Sequence, residues 1–207
     1  MLAELDVSFP ELTRATAARF SLGDMTRVLR GLLREKISIR NLRGILEQLL
    51  RYDTVRIDSK SYIVMDDRLP IREGTTGPAI NSWLNYREFV RMGLKDQLSA
   101  RYTQGLDTLI VFLVAPEVEA RAEAMVTGPS TDLEIASREA LEESLCDSAW
   151  KELGSAPPAA ARPVILTATS ARAAIREIIA PELPDLPVVA YSELRPELSI
   201  QPVARLG

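Results

Sequence analysis

Few residues in this 207-residue chain could do chemistry. The sequence contains no histidine, and Cys146 is its single cysteine. Without imidazole it lacks the serine–histidine and cysteine–histidine nucleophiles and the usual proton shuttle near neutral pH. A single thiol also excludes thiolate-rich zinc sites and iron–sulfur clusters. Any catalysis would therefore depend on carboxylates or lysines.

Among the 29 acidic side chains are two adjacent pairs, Glu142-Glu143 and Asp66-Asp67. Adjacent side chains diverge by roughly 100° on a helix and face opposite sides of a strand, so neither pair is expected to converge on a substrate. The glycine-rich segment 74–77 (GTTG) lacks the lysine of a phosphate-binding loop. These patterns predict that the chain is not an enzyme and holds no metal or cofactor.

Cys146 follows Leu145 on a predicted acidic helix. Neighbouring carboxylates raise the pKa of a thiol and so make it less reactive. We therefore expect Cys146 to be a packed structural residue.

Basic residues suggest binding instead of catalysis, and the candidate interface residues are Arg34, Arg40, Arg43 and Glu47. Arginines on the second helix of a helix-turn-helix are typical of contacts with DNA phosphates. Against this interpretation, Glu47 interrupts the basic run, and the pI of the whole chain is about 5.1. Nucleic-acid binding is therefore the less favoured alternative. Local pairing of Arg40 and Arg43 with Glu47 or Glu35 is also compatible with the spacing.

Two amphipathic helices must position these arginines. Apolar residues recur at three- and four-residue steps over residues 22–33 and again over 39–50. Ser21 and Ser38 are the predicted caps of the two helices, and Phe9-Pro10 begins an earlier one. The short connection between the two amphipathic helices predicts a helix-turn-helix unit.

A small ribbon and a longer helix complete the first half. The β-rich runs Thr54–Ile57 and Tyr62–Met65 predict a hairpin with a polar turn. One helix is predicted from about Ser82 to Tyr102, with Arg87 and Arg91 mostly off its apolar side. Helix-turn-helix plus hairpin is the outline of a winged-helix-like domain, which we assign to residues 1–105.

The second half, residues 106–207, alternates strands and helices. The pattern predicts a small open α/β sheet domain with helices against the sheet. Ala140 is part of the predicted buried stripe of its longest helix. The predicted elements are a strand at Thr108–Val114, a helix from Thr131 or Asp132 to about Leu153, a strand at Pro163–Leu166, a helix capped by Ser170 and halted by Pro181, a strand at Leu186–Tyr191 and an edge strand at Ser199–Leu206.

Charge is divided unevenly between these halves. Residues 1–105 hold 17 basic and 13 acidic side chains, a net charge of +4, whereas residues 106–207 hold 8 and 16, a net charge of −8. This split indicates polyanion binding by one half, head-to-tail contact between copies, or simply two independently solvated surfaces. Contact between oppositely charged halves should weaken as salt concentration rises.

The sequence also bears on location. Its longest apolar run, Leu109–Ala115, is far shorter than the roughly 20 residues of a membrane-spanning helix. The amino terminus lacks the pattern of a secretory signal. We expect the chain to be cytoplasmic.

Two extended blocks resemble the FHIPEP family, which contains the large flagellar export-gate protein and its virulence-secretion counterparts. The first block comprises Phe9–Leu12, residues 28–35 (VLRGLLRE), 37–42 (ISIRNL) and 45–47 (ILE). The second comprises residues 163–167 (PVILT), Arg172, 183–189 (LPDLPVV), Tyr191, 193–194 (EL) and 200–203 (IQPV).

The resemblance covers the last two subdomains of that family's cytoplasmic region, a winged-helix-like ring-forming one and a terminal α/β one. It implies a homo-oligomeric ring at the cytoplasmic face of the inner membrane, beneath a membrane-embedded gate. It also implies that the ring docks chaperones and secretion substrates, without cofactors or catalytic residues.

Two departures from the family pattern leave an alternative. Residues 54–80 look like an insertion, and the family's membrane-spanning half and first two cytoplasmic subdomains do not occur in this sequence. The chain could accordingly be a fragment of an export gate or a stand-alone relative that acts as an assembly module outside secretion.

Overall fold

The computed structural model describes residues 2–58, 82–127, 132–155 and 162–207. The chain divides into two compact units, Met1–Leu94 and Lys95–Gly207. This division precedes the boundary predicted between residues 105 and 106, because the helix Lys95–Thr103 packs against the sheet of the second unit.

The first unit is helical. The α4 and α3 helices both pack against α5, and α2 packs against α4. The apolar stripes predicted for α3 and α4 supply the core, which includes Val28, Leu32, Ile45 and Leu46. Its helices are α1 (Leu2–Ser8), α2 (Pro10–Arg19), α3 (Leu22–Arg34), α4 (Leu42–Asp58) and α5 (Ser82–Gly93).

Of the two predicted caps, the first is confirmed and the second is wrong. Ser21 Oγ accepts a hydrogen bond from the backbone N–H of Asp24 at 3.1 Å. The α4 helix begins at Leu42, and Asn41 Oδ1 accepts from the Gly44 N–H at 3.1 Å. Asparagine is as good a cap as serine. The chain before it, including Ser38, stays outside the helix.

The first strand of the predicted hairpin is also wrong. Residues Thr54–Ile57 continue α4, which ends at Asp58. Extending an existing helix costs less free energy than starting a new element, and residues 45–58 contain no glycine or proline that would end the helix earlier. The second predicted strand, Tyr62–Met65, and most of the proposed insertion lie outside the described residues.

The long helix predicted from Ser82 is two helices. The first ends at Gly93, and α6 begins at Lys95 and ends at Thr103. The Leu94 N–H donates to the Arg91 carbonyl at 2.9 Å, a tight turn that separates the helices.

The second unit places helices against a parallel sheet. The strand order is β3-β2-β1-β4, and every pairing is parallel. This confirms the mixed α/β class and the edge strand. The elements after α6 are β1 (Thr108–Val114), α7 (Pro116–Thr127), α8 (Asp132–Ser155), β2 (Val164–Thr167), α9 (Thr169–Ile179), β3 (Val188–Ala190), a 3₁₀ turn (Tyr191–Glu193) and β4 (Ser199–Leu206).

The core of this unit lies between the sheet and helices α7, α8 and α9. Its members include Phe112, Leu141, Leu145 and Ile175. Ala140 was predicted to be buried but is exposed. The buried face of α8 includes Leu141, Leu145 and Ala149 and does not extend to Ala140.

The α9 helix is not capped by Ser170, which lies inside it. Its N-cap residue is Ala168, whose N–H donates to Glu119 Oε1 at 2.7 Å. The same oxygen accepts from Thr167 Oγ1 at 2.7 Å. The carboxylate of Glu119 on α7 therefore accepts hydrogen bonds at the start of α9, where the sequence predicted Ser170 as the cap. The α7 helix itself was not predicted.

None of the helices in the described ranges is both long enough and apolar enough to cross a bilayer.

Candidate functional site

Two of the four candidate interface residues are in contact. Arg43 Nε lies 2.7 Å from Glu47 Oε1, one turn along α4. The Arg43 guanidinium also lies 4.5 Å from the ring centroid of Phe9. Both charged side chains are about half exposed, so the ion pair contributes roughly 0.3–0.5 kcal/mol. The pair orients Arg43 along its own helix and leaves it accessible to a partner.

The other two candidates stand apart from this pair. Arg34 lies in the last turn of α3, and Arg40 lies in the connection before α4; both are exposed. Within the part of the chain that the structure describes, neither forms an ion pair. Their charges are therefore available at the surface.

Glu35, which sequence spacing offered as a partner for Arg40, points inward. Its Oε2 lies 2.7 Å from Arg91 Nη1, and its Oε1 lies 3.7 Å from Arg87 Nε. Arg91 is fully buried, and Arg87 is nearly so. The prediction that Arg87 and Arg91 lie mostly off the buried face is thus wrong. Their four-residue spacing, which puts both on one side of α5, was the available signal.

The second unit carries a shallow, open groove of about 500 Å³ along α8. Trp150 borders it and is 55% exposed. Both Glu142 and Glu143 reach it, because the groove is wide enough to span two sides of the helix, whereas Asp66 and Asp67 lie outside the described residues. Its lining residues are Glu139, Glu142, Glu143, Cys146, Asp147, Trp150 and Glu182.

Cys146 is buried at the bottom of this groove and belongs to the hydrophobic core, as predicted. Burial raises the pKa of its thiol, and the carboxylates of Glu142, Glu182 and Asp147 raise it further. The thiol is therefore protonated near neutral pH and a poor nucleophile. No group of three or more potential ligands in the described ranges is arranged to hold a metal ion.

Sequence comparison identifies relatives of the whole chain. The FHIPEP family matches residues 1–199. The low calcium response locus protein D of Yersinia pestis is 27% identical over 206 residues, which cover 100% of this chain and 26% of that protein. The chain thus spans about a quarter of the length of that curated relative.

Solved structures have the same fold. The CdsV protein of Chlamydia pneumoniae, solved in complex with CdsO, superposes with a TM-score of 0.76 at 26% identity, over 100% of this chain and 54% of that one. The nonameric SctV-C of EPEC gives a TM-score of 0.71 at 20% identity, over 99% and 54%. At 20% identity, the similarity to SctV-C is evidence only of a shared fold.

Proposed function

Because the chain belongs to the FHIPEP family, we propose that it forms part of the cytoplasmic domain of a type III export gate. In this role it assembles into a homo-oligomeric ring that docks chaperones and secretion substrates at the cytoplasmic face of the inner membrane. It acts by binding and not by catalysis.

The observation that carries the proposal is the extent of the family match. Residues 1–199 include nearly all of both compact units, so the match is not confined to one common structural motif. The fold agrees over 100% of the chain with that of CdsV. Fold alone would not specify function, but family membership with the same order of elements supports a shared role.

Two further observations favour assembly and docking. A relative with this fold forms a nonamer, and another was solved with a second protein bound. The exposed arginines Arg34 and Arg40 and the half-exposed Arg43–Glu47 pair offer charge at the surface of the first unit. We assign these four residues to protein contacts, where charge sets orientation and encounter rate.

The test is a secretion assay in the source organism. Deleting the coding segment for this chain in frame should leave secretion substrates inside the cells, and restoring it should return them to the medium. A matched strain with the exposed substitution Arg14→Glu should secrete normally. Unchanged secretion after the deletion would refute the proposal and favour an assembly module that acts outside secretion.

Docking needs a separate measurement. The purified chain, immobilised, should bind secretion chaperone–substrate complexes of the same organism in biolayer interferometry, and an unrelated acidic protein should not bind. If the secretion assay succeeds and no complex binds, the chain contributes to the gate in another way and the docking role is wrong.

A further inference from the structure

Five carboxylates surround the open groove beside α8. Four project from one side of that helix, and the fifth, Glu182, comes from the chain after α9, which ends at Ile179. The fold therefore collects these charges from two separate parts of the second unit. We call the groove with its lining residues the α8 acidic groove, and its carboxylates are those of Glu139, Glu142, Glu143, Asp147 and Glu182.

These negative charges have no positive neighbours in the part of the chain that the structure describes. None of the five carboxylates forms an ion pair there, and none of the described residues that line the groove is basic. Glu143 lies four residues from both Glu139 and Asp147, a spacing at which like charges repel each other on a helix. Cations from outside the groove would relieve this repulsion.

The charges converge on the floor of the groove, where the thiol of Cys146 is 5% exposed. Burial raises the pKa of this thiol, and Glu142, Glu182 and Asp147 raise it further. Carboxylates from both sides of the groove therefore act on the same atom, and their fields add within it. The protonated thiol has no hydrogen-bond partner among the described residues, so it can donate to a bound group.

Trp150 forms the apolar part of the α8 acidic groove. Its side chain is 55% exposed, and no aromatic ring or guanidinium of the described residues contacts the indole. Tryptophan is the side chain whose ring face attracts a cation most strongly, and arginine is the most frequent cationic partner. Tryptophan and arginine are also the residues that contribute most at protein interfaces. An indole beside a row of carboxylates therefore suits a guanidinium.

We propose that the α8 acidic groove binds a basic segment of a partner protein, with an arginine against the Trp150 ring and further cations beside the carboxylates. Glu139 and Trp150 are eleven residues apart, about 16 Å along α8, which gives room for several cations of one segment. A single small cation suits the groove less well, because no three potential ligands in the described ranges are arranged to hold a metal ion.

This inference goes beyond the proposed function, because it adds a second surface for a different class of partner. The arginines assigned to protein contacts there, Arg34 and Arg40, would attract acidic surfaces. The α8 acidic groove has the opposite charge and lies in the other compact unit.

A synthetic peptide tests the charge of the occupant. The probe is a flexible, fluorescein-labelled peptide of about twelve residues in which arginine, glycine and serine alternate, long enough to span the groove. In the matched peptide citrulline, which has nearly the shape of arginine without its charge, replaces every arginine. Fluorescence anisotropy with the full chain at low salt should show saturable binding of the arginine peptide that weakens as salt rises. The citrulline peptide should bind at least about tenfold more weakly.

Variants of the chain locate the binding. Glu143→Lys should weaken binding of the arginine peptide at least about tenfold, and Trp150→Ala about fivefold. Trp150→Phe keeps an aromatic ring and should retain more affinity than Trp150→Ala. The matched control is Glu197→Lys, which changes the net charge equally at an exposed carboxylate outside the groove lining and should weaken binding less than about twofold. Thermal unfolding checks that each variant is folded.

Four results would overturn the inference. Without saturable binding of the arginine peptide, the groove takes no basic segment. Equal binding of the citrulline peptide would show that it takes a neutral one. An equal loss for Glu197→Lys and Glu143→Lys would show attraction to the overall charge of the protein, and full affinity of Trp150→Ala would exclude the indole. The measurement requires neither a ring nor secretion, so a failure of the proposed function would leave its result unaffected.

Discussion

Arg91 and Glu35 form an ion pair inside the helical unit, with Arg91 Nη1 2.7 Å from Glu35 Oε2. The pair joins the end of α3 to α5, across 56 residues of sequence. Arg91 is fully buried, so the Glu35 carboxylate replaces the water that would otherwise solvate its guanidinium. Removing the carboxylate takes away the negative charge that offsets the buried guanidinium, which is far more costly than losing an exposed pair.

We therefore expect Glu35→Gln to lower the free energy of unfolding by about 3–5 kcal/mol. The matched control is Glu47→Gln, which removes the exposed pair with Arg43 and should cost less than about 1 kcal/mol. Urea unfolding followed by circular dichroism measures both. Equal losses for the two variants would show that the buried pair has no special role.

Gly31 provides the space that Arg87 needs to reach Glu35. A Cβ atom at Gly31 would lie 2.7 Å from Arg87 Cδ. The arginine is held by its ion pairs and cannot move aside freely. Gly31→Ala should therefore destabilise the chain by about 1–3 kcal/mol, although alanine is the better helix former.

Gly23, in the same helix, is the control for that substitution. A Cβ there would have Ser21 Oγ as its nearest neighbour, at 3.6 Å, which is an ordinary contact. Gly23→Ala should be neutral or should stabilise by up to about 1 kcal/mol. A melting temperature that rises for both variants would contradict the close approach of Arg87 to Gly31.

Glu119 should matter for α9 although it belongs to α7. Its Oε1 accepts from the Ala168 N–H and from Thr167 Oγ1, both at 2.7 Å. Glu119→Ala leaves these donors unsatisfied and should cost about 1–3 kcal/mol. Glu123→Ala, an exposed change on the same helix, should stay within about 0.5 kcal/mol. If hydrogen exchange at the start of α9 is unchanged by Glu119→Ala, the cap is unimportant.

Elements with a strong local pattern were predictable. The strand Thr108–Val114 has the predicted bounds, because seven consecutive apolar or β-branched residues suit a strand covered on both faces. The same holds for the edge strand Ser199–Leu206. The four-residue run Thr54–Ile57 misled for the opposite reason: it is too short to show whether a strand begins or a helix continues.

Side chains that meet across long sequence separations were not predictable. The apolar stripe of the predicted helix placed Arg87 and Arg91 mostly off its apolar side, and only the fold brings Glu35 to them. Glu119 likewise caps a helix whose start lies 49 residues away. Of the candidate interface residues, the Arg43–Glu47 pair follows from local spacing, since residues four apart on a helix are neighbours.

The nucleic-acid alternative predicts a salt-sensitive gel shift with nonspecific duplex DNA. We expect none, because the chain carries a net charge of −4 at pH 7 and because the first strand of the expected wing is part of α4. The assay should compare the protein with Glu47→Gln, which releases Arg43, at low and moderate salt. A shift by the unsubstituted protein that weakens as salt increases would support DNA binding.

The thiol of Cys146 makes a pH-dependent contribution to stability. Burial raises its pKa above the ordinary value of 9.0, and nearby carboxylates act in the same direction. The folded chain thus holds this proton more tightly than the unfolded chain does.

The stabilisation is complete below the pKa of the unfolded thiol and is lost as the pH rises through the higher folded pKa. The unfolding free energy of the wild type minus that of Cys146→Ala should therefore shrink as the pH is raised from about 8 into the alkaline range. Iodoacetamide should also label the native thiol much more slowly than the urea-unfolded one. A constant difference between the two proteins over that range, or equal labelling rates, would show that Cys146 is accessible to water and not packed in the core.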